Sequence, residues 1–166
     1  MREVEVKILN ISVGELEEAL LALGAERVFD GDVYSLFFEG VEEGETLRLR
    51  RMNGTTYLTH KQPREGAAKV KEETEVEVRD FDTAKQLLEA LGYRAGAEVL
   101  KHRTSYALPD VRFEIDNHRG QLSDIPPFLE IEAPTEEEVF AWADRLGYSR
   151  HECKPWTILD IAEHYQ

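Results

Sequence analysis

Carboxylates recur in pairs two residues apart at Glu3/Glu5, Glu75/Glu77 and Glu130/Glu132, and basic side chains do the same at Arg48/Arg50 and Lys101/Arg103. A spacing of two puts both members of a pair on one face of a strand. Grouped carboxylates offer the hard oxygen donors that Mg²⁺ or Mn²⁺ takes. Arginine presents a planar fork that matches phosphate oxygens, and lysine adds a point charge. Carboxylates beside a basic row therefore suit a complex of metal and polyphosphate. Like charges side by side repel, so a purely structural surface tends to avoid such blocks.

The elements that must carry these residues follow from the same alternation. Charged and apolar residues alternate over Glu3–Ile8, Leu47–Arg50, Leu58–Lys61, Glu75–Arg79, Val99–Arg103, Arg112–Asp116 and Leu129–Glu132, the period-2 signature of strands. Tyr34–Phe38 is a further strand without a charged face. Three helices fit between them. Ser12 with Glu15 forms a capping box for one whose apolar stripe is Val13, Leu16, Leu20 and Leu23. Asp82 or Thr83 opens a second, with Leu87, Leu88 and Leu91 inward, and Thr135 with Glu138 opens a third that ends at Leu146-Gly147. Residues 157–165 form a short terminal helix. Three times the chain runs Glu-x-Glu, capped helix, Leu-Gly: Glu3 to Gly24, Glu75 to Gly92 and Glu130 to Gly147. The first two units point to an internal duplication, and Gln62–Glu72 reads as a mobile loop over one face.

If the apolar residues face helices, the charged ones share the opposite face. That face also takes Lys7, Lys61, Arg112, Glu114 and Asp116. Two architectures satisfy this: an open sheet with a wet, charged side, or a closed barrel whose charged residues line a tunnel.

Composition narrows the function. With 34 Asp+Glu against 20 Lys+Arg, the net charge over 166 residues is −14. This argues against binding nucleic-acid backbones, though a local basic cluster can still hold a small anion. No apolar run approaches a bilayer span and no signal peptide precedes the first strand, so the expectation is one cytoplasmic domain over residues 1–166, monomer or homodimer, without membrane or nucleic-acid partners. The single cysteine, Cys153, excludes an intramolecular disulfide and a cysteine-rich zinc site.

The ordered set of these motifs resembles the CYTH superfamily, the triphosphate tunnel metalloenzymes, which includes class IV adenylate cyclases, thiamine triphosphatases and inorganic tripolyphosphatases. The resemblance rests on Glu3-x-Glu5-x-Lys7, Asp32-x-Tyr34, Leu47-Arg48-Leu49-Arg50, Leu58-Thr59-x-Lys61, Glu75-x-Glu77, Lys101-x-Arg103, Asp116 and Glu130-Ile131-Glu132. It implies an α+β fold: a closed eight-stranded antiparallel β-barrel with helices packed outside and a tunnel lined by the charged face. It also implies that Glu3, Glu5 and Glu132 hold Mg²⁺ or Mn²⁺, with Glu130 and Asp116 near the metal. Lys7, Arg48, Arg50, Lys61, Lys101 and Arg103 would bind a small-molecule triphosphate. Glu75, Glu77, Glu114 and Asp116 would organise the basic residues. Glu5, Glu132, Lys7 and Arg50 are the catalytic candidates. The chain departs from the family pattern at Lys154-Pro155-Trp156, where many members carry Lys-Ser-Tyr, and at Ile125-Pro126-Pro127-Phe128, where many carry a Gly-containing turn.

Three activities fit this site: hydrolysis of a triphosphate, cyclisation of ATP to cyclic AMP and pyrophosphate, and polyphosphate binding without turnover. Hydrolysis needs only the groups already named. A binding module would be expected to lack the metal glutamates, which are present here. The alternation places His60 and His102 outside, and Trp142 and Trp156 read as packing residues.

Overall fold

The computed structural model describes residues 2–64 and 70–166. The alternating stretches form strands β1 (Arg2–Ile8), β2 (Glu26–Glu39), β3 (Thr46–Met52), β4 (Thr55–Pro63), β5 (Val70–Val78), β6 (Arg94–Leu108), β7 (Val111–Arg119) and β8 (Phe128–Ala133). A two-residue strand, β9 (Cys153–Lys154), joins the edge of β1. All pairings are antiparallel. The order β5-β4-β3-β2-β6-β7-β8-β1 closes through a β1–β5 seam, giving an eight-stranded barrel. Of the two architectures the alternation allowed, the closed barrel is the one formed.

Four helices lie outside: α1 (Val13–Ala22), α2 (Phe81–Ala90), α3 (Glu136–Arg145) and α4 (Ile158–His164). The outward apolar residues of β1, β7 and β8, among them Val4, Val6, Phe113 and Ile131, form the main core with Leu16 and Leu20 of α1 and Val139 and Ala143 of α3. Leu36, Phe38, Leu47 and Leu49 meet Leu88 of α2 in a second cluster, and Ile125 and Phe128 meet Ile161 of α4 in a third. The first two clusters form a shell around the barrel, and the third reaches its interior through Phe128 on the inward face of β8, leaving most of the remaining inner face to charge.

Several local expectations change. Ser12 caps α1 from an extended conformation without a side-chain cap bond, and Leu23, past the last turn, is exposed. Helix α2 starts at Phe81, before Asp82 and Thr83, because the Asp80 carboxylate accepts a 2.7 Å hydrogen bond from the Thr83 N–H. Its inward stripe is Phe81, Ala84 and Leu88, while Leu87 and Leu91 face solvent. Thr135 caps α3 as expected, accepting from the Glu138 N–H at 3.2 Å. The expected loop at Gln62–Glu72 is shorter: β4 continues through Pro63, β5 begins at Val70, and Gln62 pairs with Glu72 and Pro63 with Lys71. Residues 65–69 of that stretch lie outside the described residues.

The duplication has a structural counterpart. Strand, helix and three strands (β1-α1-β2-β3-β4) are followed by the same sequence of elements (β5-α2-β6-β7-β8). Helices α1 and α2 are each ten residues long, and each is followed by a glycine at positive φ, Gly24 and Gly92. Exchanging the first four strands for the second four turns the barrel order into its own reverse. The halves are therefore related by a pseudo-two-fold axis through the β2–β6 and β1–β5 pairs. The third Glu-x-Glu unit, β8–α3, has no such set of strands after it.

Candidate active site

The barrel encloses a cavity of about 920 Å³ whose lining includes Glu3, Glu5, Lys7, Arg48, Arg50, Lys61, Lys101, Arg103, Glu114, Asp116, Glu130 and Glu132. Every residue expected from the sequence to bind metal or phosphate therefore faces one space. The pleat explains this: on each strand these residues share a parity, and the opposite parity is held by the outer apolar shell.

The carboxylates gather at adjoining strands. Glu5 lies opposite Glu132 in the β1–β8 register, and Glu130 opposite Glu114 in β7–β8. Glu3, Glu5 and Glu132 each bring an oxygen within 4.8 Å of the others, and so do Glu114, Glu130 and Glu132. Glu132 belongs to both groups. Its carboxyl is pushed up to about 10 by burial, by a hydrogen bond with Glu3, and by the charges of Glu3, Glu114 and Glu130. A divalent cation would relieve that repulsion, and an all-carboxylate donor set matches Mg²⁺ or Mn²⁺.

Asp116 lies against the basic pair of β6. Arg103 donates to it twice, from Nε at 2.6 Å and Nη2 at 2.7 Å, and Lys101 Nζ donates at 2.7 Å. Asp116 is fully buried; burial alone would raise its carboxyl, but Arg103 and Lys101 outweigh it and hold it well below the ordinary range. With these bonds made, Asp116 fixes the two cations in place, and it belongs to neither close carboxylate group among the described residues. Glu114 also contacts the Arg103 guanidinium.

The basic side chains divide into anchored and open. Lys7 binds Glu5 at 2.9 Å and Glu130 at 3.7 Å; burial opposes its charge, but those two carboxylates raise it to about 12. Lys61 reaches Glu73 at 2.8 Å, Glu3 at 3.1 Å and Glu5 at 3.9 Å. Arg50 donates to Glu75 at 3.0 Å, and Thr59 donates to the same oxygen at 2.7 Å. Arg48 makes no ion pair among the described residues. Burial and the charges of Arg50 and Arg103 lower its pKa. The Nε atoms of Arg48 and Arg50 are both buried without a hydrogen-bond partner. Two buried guanidinium donors with nothing to donate to form a site short of an anion.

Some expectations shift along their strands. Glu77 has the parity of Glu75 but lies past the end of the cavity, in a shallow hollow with Thr56 and Arg79. The inward pair on β5 is Glu73 and Glu75, joined by Lys71. Extending the alternation of Glu75-x-Glu77 backwards would have found both. Asp32 and Tyr34 are outside the tunnel: Asp32 accepts from Arg119 at 3.2 Å, and the Tyr34 hydroxyl donates to Glu98 at 2.5 Å. His60 and His102 also lie outside the cavity, against Glu45 and against Asp30 and Asp32. His118, on the inward parity of β7, escaped notice. It is 4% exposed and stacks on Phe128 with ring centroids 5.4 Å apart. Lys154 pairs with Lys7 in register and lies over the Trp156 ring, 5.5 Å from its centroid, without lining the cavity.

No helix among the described residues is long and apolar enough to cross a membrane. The barrel superposes with a TM-score of 0.83 on the structure of PH1012 protein from Pyrococcus horikoshii OT3, at 26% identity and covering 96% of this chain and 98% of that one. A Hippeastrum protein, whose structure is titled "Putative adenylyl cyclase HpAC1 from Hippeastrum reveals a dominant triphophatase activity", shares the fold at 15% identity and a TM-score of 0.56, covering 98% and 95%. In sequence, the chain is 30% identical over 141 residues to the Methanocaldococcus jannaschii protein named "Putative adenylate cyclase MJ0240", covering 80% of this chain and 77% of that one. The model of the CYTH domain matches residues 1–149, a span that holds all eight barrel strands and every charged lining residue named above; the chain belongs to the CYTH domain family.

Proposed function

We propose that this chain is a divalent-metal-dependent hydrolase of a triphosphate held in the barrel. The observation that supports this reading most is the division of the cavity lining. A carboxylate group short of a cation, Glu3, Glu5 and Glu132, shares the space with Arg48 and Arg50, whose buried Nε donors are short of an anion. A metal–triphosphate complex satisfies both at once.

The residues take the following roles. Arg48, Arg50 and Lys61 bind the phosphate chain, and Lys101 and Arg103 bind it from β6, oriented by Asp116. Glu3, Glu5 and Glu132 would hold Mg²⁺ or Mn²⁺, which when bound offsets charge on a phosphoryl oxygen and acidifies water. Lys7, fixed between Glu5 and Glu130, places a further positive charge where charge develops on the leaving group. In-line attack needs little covalent help from the protein, so positioning and electrostatics carry the reaction.

The name of the M. jannaschii relative favours a second reading, adenylate cyclisation, in which the ribose 3′-oxygen of ATP replaces water. Purified protein assayed with tripolyphosphate, thiamine triphosphate and ATP, with Mg²⁺ or Mn²⁺, separates the two. Orthophosphate release that falls at least about 100-fold in Glu5→Gln supports hydrolysis. Cyclic AMP with pyrophosphate supports the cyclase. Binding of all three without turnover would overturn both.

A further inference from the structure

Resting on that triphosphate reading, we infer that the tunnel accepts an organic triphosphate whose planar ring stacks on Phe37. Phe37 lies on β2 between Leu36 and Phe38, which point outward into the apolar cluster under α2. Phe37 points the other way and lines the cavity, where it is only half-buried. Among the described residues it packs in none of the three apolar clusters and stacks on no other ring. A partly exposed phenyl ring on a largely charged wall, outside every apolar cluster, stands where a polar residue would be expected.

Its neighbours indicate what it serves. Phe37 is directly opposite Arg48 in the β2–β3 register, so the ring stands beside the guanidinium that lacks a partner. Val99 of β6, opposite Ser35, adds apolar wall from the next strand and also belongs to no outer cluster. The lining here changes from charged to apolar next to an unsatisfied phosphate donor. Inorganic tripolyphosphate has no group that benefits from that change. An ester-linked ring does: Arg48 takes the phosphate next to the organic group, and Phe37 takes the face of the ring. Aromatic stacking of this kind tolerates different bases, so it selects ring-bearing triphosphates as a class.

The test compares wild type with Phe37→Ala and Phe37→Leu on ATP, thiamine triphosphate and tripolyphosphate. Orthophosphate and pyrophosphate are both recorded, so cleavage at either end of the chain is seen, and thermal melts report folding. The expected result is a fall of roughly tenfold in the ratio of kcat/KM for the ring-bearing substrates to that for tripolyphosphate. The fall should appear mainly in KM, and in the leucine variant too, which keeps apolar volume but not the ring. An equal change for all three substrates, or a wild type that prefers tripolyphosphate, overturns the inference while leaving the triphosphate site standing. If the folded wild type processes none and tripolyphosphate does not compete for binding, both readings fall together.

Discussion

At the residue scale the buried charges belong to two classes that respond oppositely to mutation. Glu132 sits among carboxylates that raise its pKa to about 10, so without a cation it takes up a proton on folding at neutral pH, and that uptake costs stability. Glu132→Gln should raise the melting temperature in EDTA by about 2–4 °C, from removal of roughly 1 kcal/mol of that cost, and should abolish the stabilisation expected from Mn²⁺. Asp116→Asn should do the reverse, because it strands Arg103 and Lys101 in the interior, at a cost of about 3–5 kcal/mol. If both variants lower the melting temperature in EDTA, the distinction between them is wrong. His118 gives a pH dependence. Burial, with the nearby charge of Lys101, lowers it from 6.5 to about 4, so the unfolded chain takes up the proton first. Stability is then full above pH 7 and is lost as the pH falls from about 6.5 towards 4, amounting to about 2 kcal/mol by pH 5. Urea titrations of His118→Phe at pH 8 and pH 5 should show that loss removed. The identity of the charged residues was legible in the sequence because alternation alone sorts inside from outside. Whether a given carboxylate meets a cation or another carboxylate depends on cross-strand register, which alternation does not give: Asp116 lies opposite Arg103, and Glu130 opposite Glu114.

At the scale of the element, the strands were readable and the helix faces less so. A strand's two faces alternate without drift, so a few residues set the parity of the whole. A helix turns 100° per residue, and three leucines at 87, 88 and 91 span an arc too wide for one contact line. Only Leu88, 6% exposed, lies on the line through Phe81 and Ala84, whereas Leu87 and Leu91 are 60% and 67% exposed. Leu88→Ala should therefore cost about 2–3 kcal/mol, and Leu87→Ala less than about 0.5 kcal/mol. Asp80→Ala should cost about 1 kcal/mol through loss of the cap on the Thr83 N–H. Denaturant midpoints of the three variants check the order; equal costs for the two leucines would mean that α2 is rotated on the barrel.

For the whole molecule, the duplication explains how one fold holds both charges. Two of the four equivalent strand pairs carry opposite signs: β3 brings Arg48 and Arg50 where β7 brings Glu114 and Asp116, and β4 brings Lys61 where β8 brings Glu130 and Glu132, while β1 and β5 both bring carboxylates. The halves meet at the β2–β6 pair, which is long, and at the β1–β5 seam, which among the described residues has three register pairs, Arg2–Glu72, Glu3–Lys71 and Val4–Val70. The short seam is where the barrel should open first. Lys61 spans it, bonded to Glu3 on β1 and Glu73 on β5, and it is also among the cations proposed to bind phosphate. A ligand held by Lys61 and Arg48 on one side and by metal on Glu3 and Glu5 on the other would tie the seam shut. Hydrogen exchange at the amides of Glu3, Val4 and Lys71 should then slow by about 100-fold when tripolyphosphate and Mn²⁺ are present at 100 times their dissociation constant. The amides of the β2–β6 pair, on the far side of the barrel, should slow far less. Equal protection of the β2–β6 pair and the seam would show that the barrel opens only as a unit, and that the ligand stabilises the fold without acting at the β1–β5 seam.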